Sequence, residues 1–134
     1  MINAVDHIGI AVADLEESMG LYKTIFGVTE FHREKVEEQG VDIASFTLNG
    51  VRIELTASLH EDSPIASFIA KRGEGIHHIA FRTDTLTDDL QRLASNDIRL
   101  INSEPQLGAH DMLISFLHPK STGGVLMELC SEKQ

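Results

Sequence analysis

A chain of 134 residues, 42% hydrophobic and 24% charged, has the size and composition of one globular domain and can bury a core without crosslinks. Eleven basic residues against 21 acidic ones give a formal net charge of −10, which disfavours nucleic acid and anionic membranes as partners. The single cysteine, Cys130, excludes an internal disulfide framework and any CxxC metal or redox site.

The opening stretch MINAVDHIGIAV has neither a basic segment nor a long apolar run, so no signal peptide is expected. No apolar stretch approaches the roughly 20 residues needed to span a bilayer. Together with the scarcity of cysteine, this points to a soluble, cytoplasmic protein.

Residues 5–12 alternate around β-branched side chains and predict a strand. Leu15, Met19, Tyr22, Ile25 and Phe26 recur at helical spacing, with Asp14 as N-cap and Gly27 as the stop. Residues 28–36, 41–48 and 51–57 then read as three strands, the last two joined by an Asn49-Gly50 hairpin turn. A second, short helix starts at Ser63-Pro64 and ends at Lys71-Arg72-Gly73. After it the spacing predicts a strand at 76–83, a helix at 86–96 and a short strand near 98–101. A loop follows from Ser103 to Asp111, then strands at 112–118 and 124–131.

The chain repeats itself. DHIGI at 6–10 matches HHIAF at 77–81, and GVRIEL at 50–55 matches GVLMEL at 124–129. The first pair places His7 against His78, an offset of 71 residues, and the second places Glu54 against Glu128, an offset of 74. Two motifs in the same order at nearly equal offsets imply a duplicated module: one domain over 1–134, with modules at about 1–60 and 73–134.

Strand side chains alternate between faces. His7 therefore shares a face with Val5, Gly9 and Ala11, and His78 with Ile76, Ala80 and Arg82. Glu54 lies with Arg52 and Thr56, and Glu128 with Leu126 and Cys130. The opposite faces are apolar (Ile8, Ile10 and Val12; Ile79 and Phe81; Val51, Ile53 and Leu55; Val125, Met127 and Leu129) and suit packing under the helices. Two imidazoles and two carboxylates make a mixed nitrogen and oxygen donor set for one divalent ion such as Co²⁺, Ni²⁺, Mn²⁺, Zn²⁺ or Fe²⁺. In a six-coordinate ion, four such ligands leave two positions for water or a bidentate substrate.

These residues resemble the vicinal oxygen chelate superfamily, whose members include glyoxalase I, extradiol dioxygenases and methylmalonyl-CoA epimerases. The resemblance implies an α+β fold, two tandem βαβββ modules forming a cupped eight-stranded mixed sheet around a metal. EQGV at 38–41, GEGIHHIAF at 73–81 and HPKSTGGVLMEL at 118–129 resemble the epimerase family in particular. That likeness implies His7, Glu54, His78 and Glu128 as metal ligands, Co²⁺ foremost with Ni²⁺, Mn²⁺ or Zn²⁺ as alternatives. It also implies an acyl-CoA substrate, a homodimer, and Glu38 as a catalytic acid/base, with Glu128 as the second base. Lys120 and Ser121, just before the last ligand strand, are candidates for the substrate or a surface turn.

Lys71, Arg72 and Arg82 are the other basic residues near the ligand strands. His77 is out of phase with His78 and is expected to pack away from the ligands, and His32, His60 and His110 sit in polar segments. Cys130 reads as a small packed thiol. One departure matters: the epimerases often carry Gln where this chain has Glu54, and a His/Glu/His/Glu set resembles bacterial glyoxalase I. The expected activity is therefore metal-dependent epimerisation of methylmalonyl-CoA through an enolate, with glyoxalase I or a non-catalytic binding protein of the same fold as alternatives.

Overall fold

The computed structural model describes residues 1–133. Its contacts group into two compact units, one of residues 8–77 and one of residues 1–7 with those from 78 onward. The strands β1 (Ile2–Ala11) and β5 (Gly75–Thr83) each contribute to both units. Through β1 the strands run in the order β2-β3-β4-β1-β5-β8-β7-β6, the eight-stranded mixed sheet that the family resemblance implies.

In the 8–77 unit, β1 is followed by α1 (Leu15–Phe26), β2 (His32–Val36), β3 (Val41–Leu48), β4 (Val51–Ser58) and α2 (Pro64–Arg72). The Asp14 side chain accepts from the Glu17 N–H, and Gly27 ends α1 at φ 68°, a left-handed value that costs glycine nothing. Asn49 and Gly50 both have positive φ, as a tight hairpin requires, and β3 and β4 pair in full antiparallel register from Val41↔Ser58 to Leu48↔Val51. Ser63 caps α2 and Pro64 opens it. Val12, Leu15, Ala44, Leu55 and Ala57 form the buried core here, with Ile10, Met19, Tyr22 and Ile53 packed against it. The apolar faces of β1 and β4 thus lie against α1, which leaves Glu54 on the other side of its strand.

In the other unit, α3 (Leu86–Ser95), β6 (Gln106–Leu107), β7 (Met112–Leu117) and β8 (Met127–Glu132) follow β5. Leu86, Leu90 and Leu129 form its core, with Ile2, Phe81, Leu93, Leu100 and Leu113 against them. Phe81 and Leu129 are the residues that alternation assigns to the apolar side. The opposite side holds a second cluster of Ala80, Met112, Ile114 and Cys130, with Phe116 at its margin.

Three elements differ from expectation. Residues 28–31 lie outside β2, which begins only at His32. The short strand expected near 98–101 is a single bridge, Leu100↔Leu117, and the strand itself lies at Gln106–Leu107, inside the segment expected to be a loop. Residues 124–126 precede β8, because Gly123 and Gly124 both take positive φ and hold the chain in a turn. No helix of the described residues is long and apolar enough to cross a membrane.

Candidate metal centre

β5 and β8 pair in parallel with Ala80 opposite Glu128, and β7 and β8 pair antiparallel with Phe116 opposite Glu128. Ala80 is fully buried and has only a methyl group, so Glu128 is not crowded on that side. His78 lies two residues before Ala80 on the same face, as the diagonal neighbour of Glu128. Its Nε2 is 3.5 Å from Glu128 Oε1. His7 Nε2 is 3.5 Å from Glu128 Oε2 and 3.1 Å from His78 Nε2. The two imidazoles meet edge to face, with ring centroids 5.2 Å apart and planes at 90°. Phe116 covers His78 from the side, 5.7 Å between centroids.

All three of these residues are buried. Two ligand atoms each about 2.1 Å from one ion stand roughly 3.0 Å apart at an octahedral angle and roughly 3.4 Å apart at a tetrahedral one. Separations of 3.1, 3.5 and 3.5 Å match those values, and the donor chemistry suits a borderline divalent ion. His7, His78 and Glu128 therefore fit a shared metal.

Glu54, in the middle of β4, is also buried, opposite Ser45 of β3 and on one face with Arg52 and Thr56. Arg52 Nε and Nη2 both donate to Glu54 Oε2, each at 3.3 Å. The negative charge that distinguishes Glu54 from a glutamine is thus met by a guanidinium two residues away.

The remaining expected residues fall as follows. Glu38 sits exposed in a one-turn 3₁₀ helix, Glu37–Gln39. Gly40 closes that turn at φ 68°, and its carbonyl accepts from the Leu59 N–H at 2.9 Å. Lys120 is exposed in the Pro119–Ser121 turn, and the Ser121 hydroxyl accepts from the Arg99 N–H at 2.9 Å. His77 packs edge-on to Phe68 at 4.9 Å, and burial lowers its pKa. The Arg72 guanidinium lies over the same Phe68 ring, 5.9 Å from its centroid. His32 and His60 are exposed and His110 is half-buried. The Cys130 thiol is buried and donates to the Phe81 carbonyl. Burial, with the Asp6 and Glu128 carboxylates nearby, pushes its pKa far up, so it is an inert packed group.

Two residues outside the expected set link up with His7. Asp6 is buried, its Oδ2 2.8 Å from His7 Nδ1. Arg82 donates from Nε (2.9 Å) and Nη2 (2.6 Å) to Asp6 Oδ1, and this hydrogen bond raises the guanidinium pKa. Arg82, one of the basic residues that the sequence places near the ligand strands, is thus committed to Asp6. The signal in the sequence was the adjacent Asp6-His7 pair, which strict alternation places on opposite faces.

The sequence profile of the Glyoxalase/Bleomycin resistance protein/Dioxygenase superfamily matches residues 6–116. An uncharacterized protein of Bacillus subtilis is 42% identical over 132 residues, 98% of this chain and 94% of its own. The ethylmalonyl-CoA/methylmalonyl-CoA epimerase of Cereibacter sphaeroides is 37% identical over 131 residues, 96% of this chain and 98% of its own. A solved structure of methylmalonyl-CoA epimerase in complex with methylmalonyl-CoA and NH4+ superposes at a TM-score of 0.94, with 37% identity, covering 98% of this chain and 96% of that one. Over nearly its whole length the chain follows these proteins in sequence and in fold: it belongs to the glyoxalase/bleomycin resistance/dioxygenase superfamily.

Proposed function

We propose that this protein is a metal-dependent methylmalonyl-CoA epimerase, interconverting the two epimers at C2 of the malonyl group. The observation that carries the proposal is the buried convergence of His7, His78 and Glu128 at metal-ligand spacing. It occurs in a chain that matches relatives named as epimerases along almost its full length. Glu54 is the fourth ligand of this reading, as the twin of Glu128 in the repeat and a buried carboxylate at the centre of β4. The ion is Co²⁺ foremost, with Ni²⁺, Mn²⁺ or Zn²⁺ as alternatives. The protein works as a cytoplasmic homodimer on an acyl-CoA, without nucleic acid or membrane.

The C2–H bond is flanked by a thioester carbonyl and a carboxylate, so breaking it places negative charge on the thioester oxygen. A bound divalent ion supplies electrostatic stabilisation of that charge. The chain's own residues handle the proton. Glu38 accepts it on one face through its carboxylate, and the C–H electron pair passes into the carbonyl. Glu128, which carries a proton at the start of the turnover, gives it up on the other face and is left ionised while Glu38 is left protonated, the starting state for the reverse direction. The exposed position of Glu38 on a short turn leaves it accessible to a bound substrate. Lys120 is a cation for the substrate's anionic groups, and Ser121 retains its hydroxyl proton for donation while its oxygen holds Arg99.

The test is conversion of one epimer. Purified protein loaded with Co²⁺ and given a single epimer of methylmalonyl-CoA should yield a near-equal mixture of both, resolved by chromatography. In parallel it should leave methylglyoxal and glutathione unreacted. Formation of lactoylglutathione with no change in the thioester would move the assignment to glyoxalase I.

A further inference from the structure

The chain Arg82–Asp6–His7, with Asp6 and His7 buried and the guanidinium partly exposed, stands behind the candidate metal centre and has no part in the proton transfers above. A carboxylate accepts hydrogen bonds and a guanidinium only donates them. Asp6 Oδ1 receives both Arg82 N–H groups, which leaves Oδ2 facing His7 Nδ1 at 2.8 Å. An acceptor at that position requires the proton of the neutral ring to sit on Nδ1. The Nε2 lone pair then points to where His78 Nε2 and Glu128 Oε2 converge.

We propose that Asp6, held by Arg82, is a positioning residue that fixes His7 in its Nδ1–H tautomer and so delivers a bare Nε2 to the metal. The inference rests on His7 being a metal ligand. It goes beyond the epimerase reading because it assigns a role to two residues that the reading leaves without one. Partners of this kind orient ligating histidines, and their loss typically weakens metal binding by about 10–100-fold.

The geometry makes an unusual demand of the isosteric variant. In Asp6→Asn there is one acceptor oxygen, and Arg82 holds it with two donors. The amide NH₂ must then face His7 Nδ1, which has to become an acceptor, so the proton moves to Nε2 and blocks the ligand atom. In Asp6→Asn/Arg82→Met the amide is free to turn its oxygen to Nδ1–H again. The double variant should therefore bind metal better than the single one, the reverse of what cumulative structural damage produces.

The experiment is ¹⁵N NMR of the imidazole nitrogens in metal-free protein, at a pH where the ¹⁵N shifts themselves show the His7 ring to be neutral. His7 is identified by its absence in His7→Gln, and Co²⁺ affinity is measured by competition with a chelator. Wild type should show a protonated Nδ1 and a bare Nε2 at His7. Asp6→Asn should show the opposite pattern and a roughly 10–100-fold weaker Co²⁺ affinity, and the double variant should recover most of both. A bare Nδ1 in wild type, an unchanged tautomer in Asp6→Asn, or a double variant as weak as the single one would each overturn the proposal. None of these readouts uses substrate, so a protein that passes them yet leaves methylmalonyl-CoA unchanged would refute the epimerase reading and leave this one standing.

Discussion

His7 and His78 are 71 positions apart in sequence, and their Nε2 atoms lie 3.1 Å from each other, ring planes perpendicular. Each comes from the same place in its repeat, the ligand strand that opens a module. Removing either ring should take one donor from a set whose remaining members cannot close around an ion. His78→Ala protein, passed over a desalting column after loading, should retain less than about a tenth of the Co²⁺ that wild type retains, as measured by elemental analysis. Equal metal content would mean that the ion is held elsewhere.

Glu38→Gln keeps the size of the side chain and removes its ability to take a proton. General acid–base groups contribute about 10²–10⁴-fold. The variant should lose activity by that order while Co²⁺ content and melting temperature stay at wild-type values. Full turnover in Glu38→Gln would place that acid/base at another residue.

Gly40 fixes the turn that carries Glu38. A Cβ added there would stand 3.0 Å from Ser63 Cβ and 3.2 Å from His60 Nε2, at a φ of 68° that disfavours any side chain. Ser63 caps α2 through Ala66, so it cannot retreat without loosening the helix. In Gly40→Ala the turn must shift, and kcat should fall at least tenfold with metal binding intact. His60→Ala removes one of the two obstacles, and a partial recovery in the double variant, seen as a rise in kcat, checks that the effect is steric.

The Arg52–Glu54 pair predicts a link between charge and metal. Arg52→Met removes the guanidinium from beside the buried Glu54 carboxylate, which in a metal-free protein costs roughly 3 kcal/mol. The melting temperature of the stripped variant should drop by about 10 °C. A bound divalent cation restores the missing positive charge, so saturating Co²⁺ should raise the variant's melting temperature by more than it raises wild type's. Equal metal-induced shifts in the two proteins would separate Glu54 from the ligand set.

Much of this was readable in advance, and the exceptions have causes. Asp14, Gly27, Asn49-Gly50 and Ser63-Pro64 act through local backbone chemistry, so short-range rules locate them. The two-residue β6 has no room for a period of two, and its pairing with Leu113 and Ile114 is a tertiary event, which left Gln106–Leu107 hidden in a loop. The candidate ligand residues stood out because duplication supplied an internal comparison. Asp6 did not, because its role depends on Arg82 arriving from a strand 76 residues later.

Another buried carboxylate, Asp89, ties the start of α3 to the end of β5. Burial by itself would raise its pKa, but hydrogen bonds from Thr83, Arg92 and Thr85 outweigh that and hold it below the usual range. A depressed folded-state pKa means that its stabilisation is complete above the ordinary carboxylate range and is lost as pH falls through the folded value. Asp89→Asn should be less stable by about 2 kcal/mol at pH 7, the scale of hydrogen bonds to a charged group. It should also show a shallower loss of stability between pH 5 and pH 2 than wild type, read by urea denaturation. Parallel acid limbs would contradict this role.

The account stands on metal-dependent removal of the C2 proton. Protein stripped with a chelator and reloaded with Co²⁺ is placed in D₂O with methylmalonyl-CoA, and the methyl signal is followed by proton NMR. The prediction is collapse of the methyl doublet to a singlet in the reloaded protein and a persistent doublet in the stripped one. A doublet that persists in protein carrying one Co²⁺ per chain, or a collapse that proceeds equally without metal, would contradict it.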